Sequence, residues 1–216
     1  PGLVNTLTPM AQARADSIPM LVVTGVNRQD SLGKGLGLLH ELPNQLGLSQ
    51  TVSKHAEQVR SAEMLEGALH RAFVAMEGRP APVHLEVPTD VMPLPGPSKV
   101  ASLPPSDPIL PDLSLIAARL AAAKRVVILA GGGCRSENAA LTKLAEKLDA
   151  PVVQTVNARG LMHGHALTVA ASPSLASVRA LIEGADCVLA LGTELGPTDY
   201  DMYATNTYPK MPNLIR

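Results

Sequence analysis

The sequence predicts an α/β protein built from two units, each with a parallel sheet covered by helices on both faces. Three observations predict it: short, solidly apolar runs typical of buried strands, amphipathic helical segments that alternate with these runs, and a proline-rich stretch between the two alternating regions. Strands read as continuous apolar runs when helices cover both faces of the sheet, which is the three-layer arrangement of parallel sheets.

The first unit shows the order helix, strand, long loop, helix, strand. A helix is expected over residues 8–15, and the run at 20–24 predicts a buried strand, after which a glycine-rich loop follows. The second helix carries its apolar side chains on one stripe: Met64, Leu65, Ala68, Leu69, Ala72, Phe73 and Met76. Ser61 is its expected N-cap, and the next strand, 83–87, stops at Pro88.

Seven prolines fall between residues 92 and 111, where apolar periodicity is absent. Proline fixes φ and removes a backbone donor, so this stretch is expected to be an extended connector. The sequence therefore divides into a first domain over residues 1–93, a linker over 94–111 and a second domain over 112–216.

The second domain alternates helix and strand more regularly. Its expected elements are a helix from Asp112 or Ser114, a strand at Val126–Ala130, a helix capped by Ser136 and bearing Leu141, Leu144 and Leu148, a strand at 152–155, a helix at 174–183 and a strand at Cys187–Leu191. Right-handed crossovers place these three strands parallel in one Rossmann-like sheet. Both chain ends look cut, since Pro1-Gly2 opens within a turn and residues 214–216 resemble a strand that has only begun; the second domain is expected to be truncated.

Composition excludes several classes of function. The net charge is −1 with a pI near 6.7, and only 2% of the residues are aromatic, so neither bulk charge nor stacking platforms favour nucleic acid as a partner. No apolar run reaches the roughly 18 residues of a membrane span, and no secretion signal opens the chain, so no membrane partner is expected. Cys134 and Cys187 lie far apart, in or beside predicted buried elements, as reduced core thiols do. A cytoplasmic protein is expected.

Ordered motifs in the first domain resemble the pyrimidine-binding domain of thiamine-diphosphate-dependent enzymes. The family pattern is G-P-G-x-x-N, a helix, D-S-x-P and a strand ending in Gly, and it is matched by Pro1, Gly2, Asn5, Asp16, Ser17, Pro19 and Gly25. Residues 53–55 (S-K-H) resemble the family's T-K-H. Residues 78–91 (GRPAPVHLEVPTDV) resemble its G-R-P-G-P-V segment, with Ala81 in place of glycine and one additional residue before Pro88.

The second domain resembles the central domain of the same family. The matching segments are residues 123–133, 145–155 and 185–193. Some relatives bind FAD or an adenine nucleotide in this domain. Gly131, Gly132 and Gly133, which precede a helix, are a possible nucleotide loop, although the dinucleotide fingerprint fails at Ser136. Residues 192–201 lack the arginines of FAD-binding members and carry acidic residues, so FAD is not expected.

The resemblance implies a parent enzyme that binds thiamine diphosphate through Mg²⁺ and breaks the bond beside the carbonyl of a 2-oxo acid. Two outcomes stay open, which are simple decarboxylation and carboligation to acetolactate. The segment 192–201 and the run Leu39-His40-Glu41 look similar to 5-guanidino-2-oxopentanoate decarboxylases. The family also implies a homodimer or homotetramer, because its cofactors lie between subunits.

Pro1, Gly2 and Asn5 are the implied cofactor-binding residues. A Pro-Gly turn lets the backbone approach a flat ring closely, and Asn5 offers a donor and an acceptor, although a purely structural turn would look the same. The family's catalytic glutamate would precede Pro1, and the G-D-G motif that holds Mg²⁺ and the diphosphate is absent from the sequence. The chain alone is therefore expected to be an inactive fragment that binds no cofactor.

His40 stands where the family usually has a glutamine that faces the cofactor cleft. An imidazole there could transfer protons or bind a substrate carboxylate, so His40 is the candidate catalytic residue, with a solvated loop histidine as the alternative. His55 and His84 are interpreted as structural. His163 and His165 lack a third ligand, so no metal site is expected.

A different class of function stays open, a stand-alone nucleotide-binding module over residues 126–216 that would need no upstream domain. The full gene distinguishes the two interpretations, because a start codon near Pro1 would favour the module.

Overall fold

The computed structural model of the chain describes residues 1–96 and 111–216. Two compact units divide the chain between Asp107 and Pro108, and each has its own sheet. The linker predicted over residues 94–111 lies outside the described residues, apart from its first three positions and its last.

The first unit holds a three-stranded parallel sheet. Its elements are α1 (Gly2–Ala15), β1 (Met20–Val26), α2 (Gln45–Gln50), β2 (His55–Gln58), α3 (Met64–Met76) and β3 (Pro82–Pro88). The strand order is β1-β3-β2, so β3 is central. Met20 of β1 pairs with Pro82, and His55 of β2 pairs with Val83, so all three strands run in one direction.

The two faces of β3 differ in character. Val83 and Leu85 are buried against the small alanine side chains of α3, which let the helix approach the sheet closely. His84 and Glu86 point to the opposite face, because successive side chains of a strand alternate, and both are buried as well. Helices α1 and α2 cover that face. The first unit therefore has an apolar layer on one side of its sheet and a partly polar layer on the other.

The first helix begins six residues earlier than the sequence pattern predicts. α1 starts at Gly2, and its first hydrogen bond runs from the Asn5 N–H to the Pro1 carbonyl at 3.1 Å. The prediction of a Pro-Gly turn is therefore wrong, because Pro1 occupies the N-cap position of a helix. Pro9 lies inside α1, although proline fits best in the first turn of a helix, and this preference favoured a start at residue 8.

Two elements of the first unit were not predicted. α2 is capped by Asn44, whose side-chain oxygen accepts a hydrogen bond from the Gly47 N–H at 2.7 Å. β2 has the sequence HAEQ, which lacks an apolar run, so pairing with β3 rather than composition makes it a strand. The predicted Ser61 cap is wrong: α3 begins at Met64, and Ser61 accepts the Met64 N–H through its carbonyl alone.

The second unit holds a four-stranded parallel sheet. Its elements are α4 (Ser114–Ala122), β4 (Val126–Ala130), α5 (Asn138–Leu148), β5 (Val152–Gln154), β6 (Thr168–Val169), α6 (Ala176–Glu183), β7 (Cys187–Leu191) and α7 (Met202–Thr205). The strand order β6-β5-β4-β7 confirms that β4, β5 and β7 are parallel strands of one sheet. The predicted bounds of β4 and β7 are also those of the structure.

Apolar core lies on both faces of β4. Ile128 packs in a cluster with Leu141 of α5, and Leu129 packs in a second cluster with Val178 of α6. Both faces are thus dry, which explains why these strands read as solid apolar runs. The three-layer α/β prediction is confirmed for this unit.

The ends of the elements in the second unit differ from the sequence prediction in detail. Asp112 fixes the start of α4 by accepting the Ser114 N–H at 2.9 Å. Ser136 is not a helix cap, because it lies in a 3-10 turn at Gly132–Glu137 and α5 begins only at Asn138. Ile215 forms a parallel bridge with Leu189, in the segment where a beginning strand is expected.

No helix among the residues that the structure describes is long and apolar enough to cross a membrane. Cys134 and Cys187 are buried and free, and desolvation raises the pKa of both thiols, in agreement with their interpretation as core residues.

Candidate functional site

The carboxyl ends of the parallel strands define one edge of the sheet in the first unit. β1 ends at Val26, and residues 27–44, named here the His40 loop, leave from this edge. Only residues 16–19 join the end of α1 to the start of β1, so the helix and the strand run in opposite directions. The first turn of α1 therefore lies at the same edge as the His40 loop. Open α/β sheets bind ligands at the carboxyl ends of their strands, which makes this edge the candidate site.

Pro1, Gly2 and Asn5 lie together at the start of α1, and all three are exposed. A Cβ added at Gly2 would meet no atom within 4 Å among the described residues, so the space beside this turn is open. The amide of Asn5 can therefore offer a donor and an acceptor to a ligand at this edge.

His40 lies in the His40 loop with a φ of 60°, a left-handed conformation that residues other than glycine rarely adopt. Its side chain is exposed, and in the described part of the chain no hydrogen bond to its ring is formed. Leu36, Leu38 and Leu39 beside it are 61%, 40% and 79% exposed. The structure thus gives His40 no packing role and leaves its imidazole accessible.

Glu41 folds the His40 loop back on itself. Its Oε1 accepts the Leu36 N–H at 3.2 Å, and its Oε2 accepts the Leu38 N–H at 2.9 Å. These backbone hydrogen bonds, above all that of Leu38, lower the pKa of the Glu41 carboxyl. Sequence reasoning gave Glu41 no role of its own. The available signal was the run of alternating glycines, which leaves backbone N–H groups without partners in a regular element.

Both ends of the His40 loop are fixed to the body of the unit. Asp90 accepts two hydrogen bonds from Gln29, from the backbone N–H at 3.1 Å and from Nε2 at 3.2 Å. At the other end, Gln45 Nε2 donates to the Gly25 carbonyl at 2.9 Å and to Glu86 Oε2 at 3.1 Å. The loop is therefore anchored on the strands that define the edge.

A buried polar cluster lies beneath this edge. Glu86 is 2% exposed, and its Oε1 accepts a hydrogen bond from Gln58 Nε2 at 2.6 Å. His84 lies two residues earlier on β3 and is fully buried, and its Nε2 is 2.8 Å from the Thr24 hydroxyl. Its Nδ1 has no hydrogen-bond partner among the described residues. Desolvation lowers the pKa of His84 to about 4, so the ring is neutral at pH 7, in agreement with its structural interpretation.

The glycine loop of the second unit packs against the segment that follows β7. Gly131 donates its N–H to the Leu191 carbonyl at 2.9 Å, and Gly133 donates to the Gly192 carbonyl at 3.0 Å. A Cβ on Gly131 would lie 2.2 Å from the Gly192 carbonyl oxygen, so this close approach requires glycine. The backbone N–H groups of Gly131 and Gly133 thus already donate to backbone carbonyls, which leaves one of the three glycine N–H groups that could bind a phosphate. The nucleotide loop stays a prediction.

An open cleft of about 610 Å³ lies beside the end of β5 and the start of β6. Gln154, Arg159 and His163 contribute its polar lining. His165 lines it too, with its Nε2 3.2 Å from the Glu146 carboxylate and its Nδ1 accepting the Leu167 N–H at 3.2 Å.

The acidic segment over residues 192–201 leads away from β7. Asp199 accepts the Val156 N–H at 3.1 Å, which joins this segment to the turn after β5. Glu194 and Asp201 are partly exposed. The segment contributes three carboxylates and no arginine, so its charge is opposite to that which a phosphate-bearing ligand requires.

Thiamine diphosphate presents a neutral pyrimidine ring at one end and a metal-bound diphosphate at the other. The open first turn of α1, with its exposed amide, fits the edge of the ring. Groups of three His, Cys, Asp or Glu side chains that could hold a metal ion do not occur among the described residues. The cofactor-binding role of Pro1, Gly2 and Asn5 stays a prediction, and the described residues offer no candidate cluster of ligands for the metal.

The chain is similar to known proteins along most of its length. Residues 113–216 match the family described as thiamine pyrophosphate enzyme, central domain. The chain is 39% identical over 207 residues to the probable 2-ketoarginine decarboxylase AruI of Pseudomonas aeruginosa, which covers 93% of the chain and 37% of that protein. It is 31% identical over 204 residues to the acetolactate synthase isozyme 1 large subunit of Escherichia coli, which covers 89% of the chain and 35% of that protein. The chain thus spans little more than a third of these relatives, and it belongs to the thiamine-diphosphate-dependent enzyme family, with residues 113–216 as a central domain of that family.

Proposed function

We propose that this chain is part of a thiamine-diphosphate- and Mg²⁺-dependent enzyme that decarboxylates 5-guanidino-2-oxopentanoate, the 2-oxo acid also called 2-ketoarginine. The observation that carries the proposal is the 39% identity to the 2-ketoarginine decarboxylase, which extends over 93% of the chain and so includes both units. The groups that hold the metal and the diphosphate would belong to the rest of the enzyme, which is proposed to be a homodimer or homotetramer.

The first unit would form one wall of the cofactor site. Asn5 would bond the edge of the pyrimidine ring through its amide. When bound, thiamine diphosphate supplies the nucleophilic carbon and takes up the electron pair that CO₂ leaves behind. His40, exposed at the same edge of the sheet, would bind the substrate carboxylate or move a proton at the reacting carbon.

Acetolactate synthesis is the second candidate, because the chain is also 31% identical to an acetolactate synthase large subunit. The two reactions share the loss of CO₂ and differ in the step after it. Simple decarboxylation ends with a proton on carbon, whereas carboligation ends with a new carbon–carbon bond. An imidazole at position 40 fits the proton transfer of simple decarboxylation.

The test is product analysis of the full-length enzyme with thiamine diphosphate and Mg²⁺, supplied with 5-guanidino-2-oxopentanoate or with pyruvate. We expect CO₂ and 4-guanidinobutanal from the first substrate and little turnover of the second. Acetolactate from pyruvate as the main product would replace the proposal with the second candidate. Reactions without thiamine diphosphate are the control.

A further inference from the structure

The conformation of residues 36–41 within the His40 loop depends on polar contacts more than on burial. Leu36, Leu38 and Leu39, the large apolar side chains of this segment, are 61%, 40% and 79% exposed, whereas Leu32 and Leu42 on either side of the segment are partly buried. Apolar side chains left in water contribute little to holding a loop in one conformation. Hydrogen bonds must therefore do so, and those of Gln29 and Gln45 do not reach the segment that carries His40.

The backbone of this segment is unusual enough to need support. Gly33, Gly35, Gly37 and His40 all have positive φ, with values of 72°, 64°, 71° and 60°. Glycine adopts this conformation readily, but histidine does so at a cost, because its Cβ approaches the backbone. Without further contacts, the chain around His40 would populate several conformations.

Glu41 supplies the missing contacts within the segment. Its two carboxylate oxygens accept the Leu36 and Leu38 N–H groups, and its own N–H donates to the Leu38 carbonyl at 3.0 Å. Successive backbone N–H groups that converge on one anion form a compact, well-defined turn. A further hydrogen bond comes from Asn27, whose Nδ2 donates to the Leu39 carbonyl at 3.2 Å. Residues 36–38 are thus closed by the side chain that immediately follows His40, and residue 39 is held by Asn27.

We propose that Glu41 is a positioning residue, whose carboxylate fastens residues 36–38 and thereby holds His40 in the left-handed conformation that presents its imidazole at the carboxyl edge of the sheet. This inference rests on the proposed function for the role of His40. Glu41 itself touches neither substrate nor cofactor, and its effect on turnover passes through His40.

The test is a double-mutant cycle in the full-length enzyme with thiamine diphosphate, Mg²⁺ and 5-guanidino-2-oxopentanoate. Glu41→Gln keeps the length of the side chain but replaces one acceptor oxygen by a donor. We expect this variant to lower kcat about fivefold with KM changed less than about twofold, because a misplaced imidazole affects the reaction more than substrate binding. In a His40→Asn background, Glu41→Gln should have less than about a twofold further effect. Equal fold-losses in both backgrounds would overturn the inference.

Hydrogen exchange at the Leu36 and Leu38 amides gives a readout that does not depend on activity. Both amides should exchange faster in Glu41→Gln than in the wild type. The matched control is Glu63→Gln, which removes an exposed carboxylate with a pKa lowered by a hydrogen bond to Ser61, outside the His40 loop. It should leave exchange and turnover unchanged. Unchanged exchange of both amides in Glu41→Gln would overturn the inference.

The two proposals fail in different ways. Loss of amide protection with equal fold-losses in both His40 backgrounds would remove the positioning role and leave the proposed function intact. Full turnover by His40→Asn would remove His40 from the mechanism and the positioning role with it. An enzyme that decarboxylates pyruvate instead would change the proposed substrate, and the cycle measured with pyruvate would still decide the role of Glu41.

Discussion

The imidazole of His84 lies 2.8 Å from the hydroxyl of Thr24, measured from Nε2 to Oγ1, and this contact joins the central strand β3 to the edge strand β1. Thr24 also receives a hydrogen bond from Gln45 Nε2 at 3.3 Å. The buried pair is therefore connected to the first residue of α2, and through it to the end of the His40 loop. A change in the charge of His84 would therefore alter the hydrogen bonds of Thr24 at this junction.

We expect the first unit to lose stability as the pH falls through the range in which unfolded histidine titrates. The pKa of His84 is about 4 in the folded protein, against an ordinary value of 6.5. The unfolded state then binds more protons than the folded state between these pH values. The contribution of His84 is complete above pH 6.5 and is lost progressively towards pH 4, up to about 3 kcal/mol.

Urea unfolding of the chain at pH 7 and pH 5 measures this effect. His84→Leu removes the titrating group at similar volume and should flatten the pH dependence. His70→Gln, at an exposed position of α3, is the control and should retain the wild-type dependence. If the free energy of unfolding of His84→Leu changes with pH as much as that of the wild type, other groups cause the pH dependence.

Gly131→Ala should destabilise the second unit by at least about 2 kcal/mol. The new Cβ would lie 2.2 Å from the Gly192 carbonyl oxygen and 2.4 Å from the Thr193 Cα, so backbone must move. Gly196→Ala is the control, because its Cβ would come no closer than 3.9 Å to the described residues. Thermal unfolding followed by circular dichroism compares the two variants. Equal unfolding midpoints for the two variants would show that the glycine loop at residues 131–133 accommodates the new Cβ without loss of stability.

His40→Ala in the full-length enzyme should lower turnover by at least about tenfold, equivalent to about 1.4 kcal/mol of barrier, with folding intact. Because alanine is disfavoured at a φ of 60°, His40→Asn serves as the second variant, since asparagine tolerates this conformation. Steady-state kinetics of both variants separate the imidazole from the backbone. Wild-type turnover in His40→Asn would return His40 to the solvated-loop interpretation.

The central domain is expected to bind no FAD. Glu194, Asp199 and Asp201 stand in the segment where FAD-binding relatives carry arginines, and like charges oppose a diphosphate there. The absorbance spectrum of the purified full-length enzyme is the measurement. Flavin at near-stoichiometric amounts would contradict the expectation.

The 216-residue chain alone is expected to have no measurable affinity for thiamine diphosphate. It offers a few neutral contacts at the pyrimidine end, each worth about 1 kcal/mol, whereas association costs several times as much in lost translational and rotational freedom. Calorimetric titration with thiamine diphosphate and Mg²⁺ checks this. Micromolar binding would mean that the chain holds more of the cofactor site than Pro1, Gly2 and Asn5.

How far the sequence predicts the structure depends on the depth of burial of each element. β4 and β7 were predicted with their observed bounds, because strands buried on both faces are solid apolar runs. β2 and β6 escaped prediction, because a polar tetrapeptide and a two-residue strand carry no apolar periodicity. Short elements of this kind exist only because a neighbouring strand offers backbone hydrogen bonds.

The candidate site shows the same division. The motifs in the sequence pointed to Pro1, Gly2, Asn5 and His40, since their types and order can be read without a structure. The contacts that organise the site could not be read. Glu41 is significant because the loop curls until Leu36 and Leu38 reach its carboxylate, and Glu86 because a neighbouring helix brings Gln45 to it.

By itself, then, the sequence determined the fold class, the alternation of strands and helices, and the family, because these depend on local apolar patterns and ordered motifs. The tertiary structure alone decided that the glycines of the second unit serve a close backbone approach, that His84 is buried and neutral, and that a carboxylate closes the loop that carries His40. Each of these depends on distances between residues that are separated in sequence or joined by unusual backbone conformations, and such distances are set only when the chain folds.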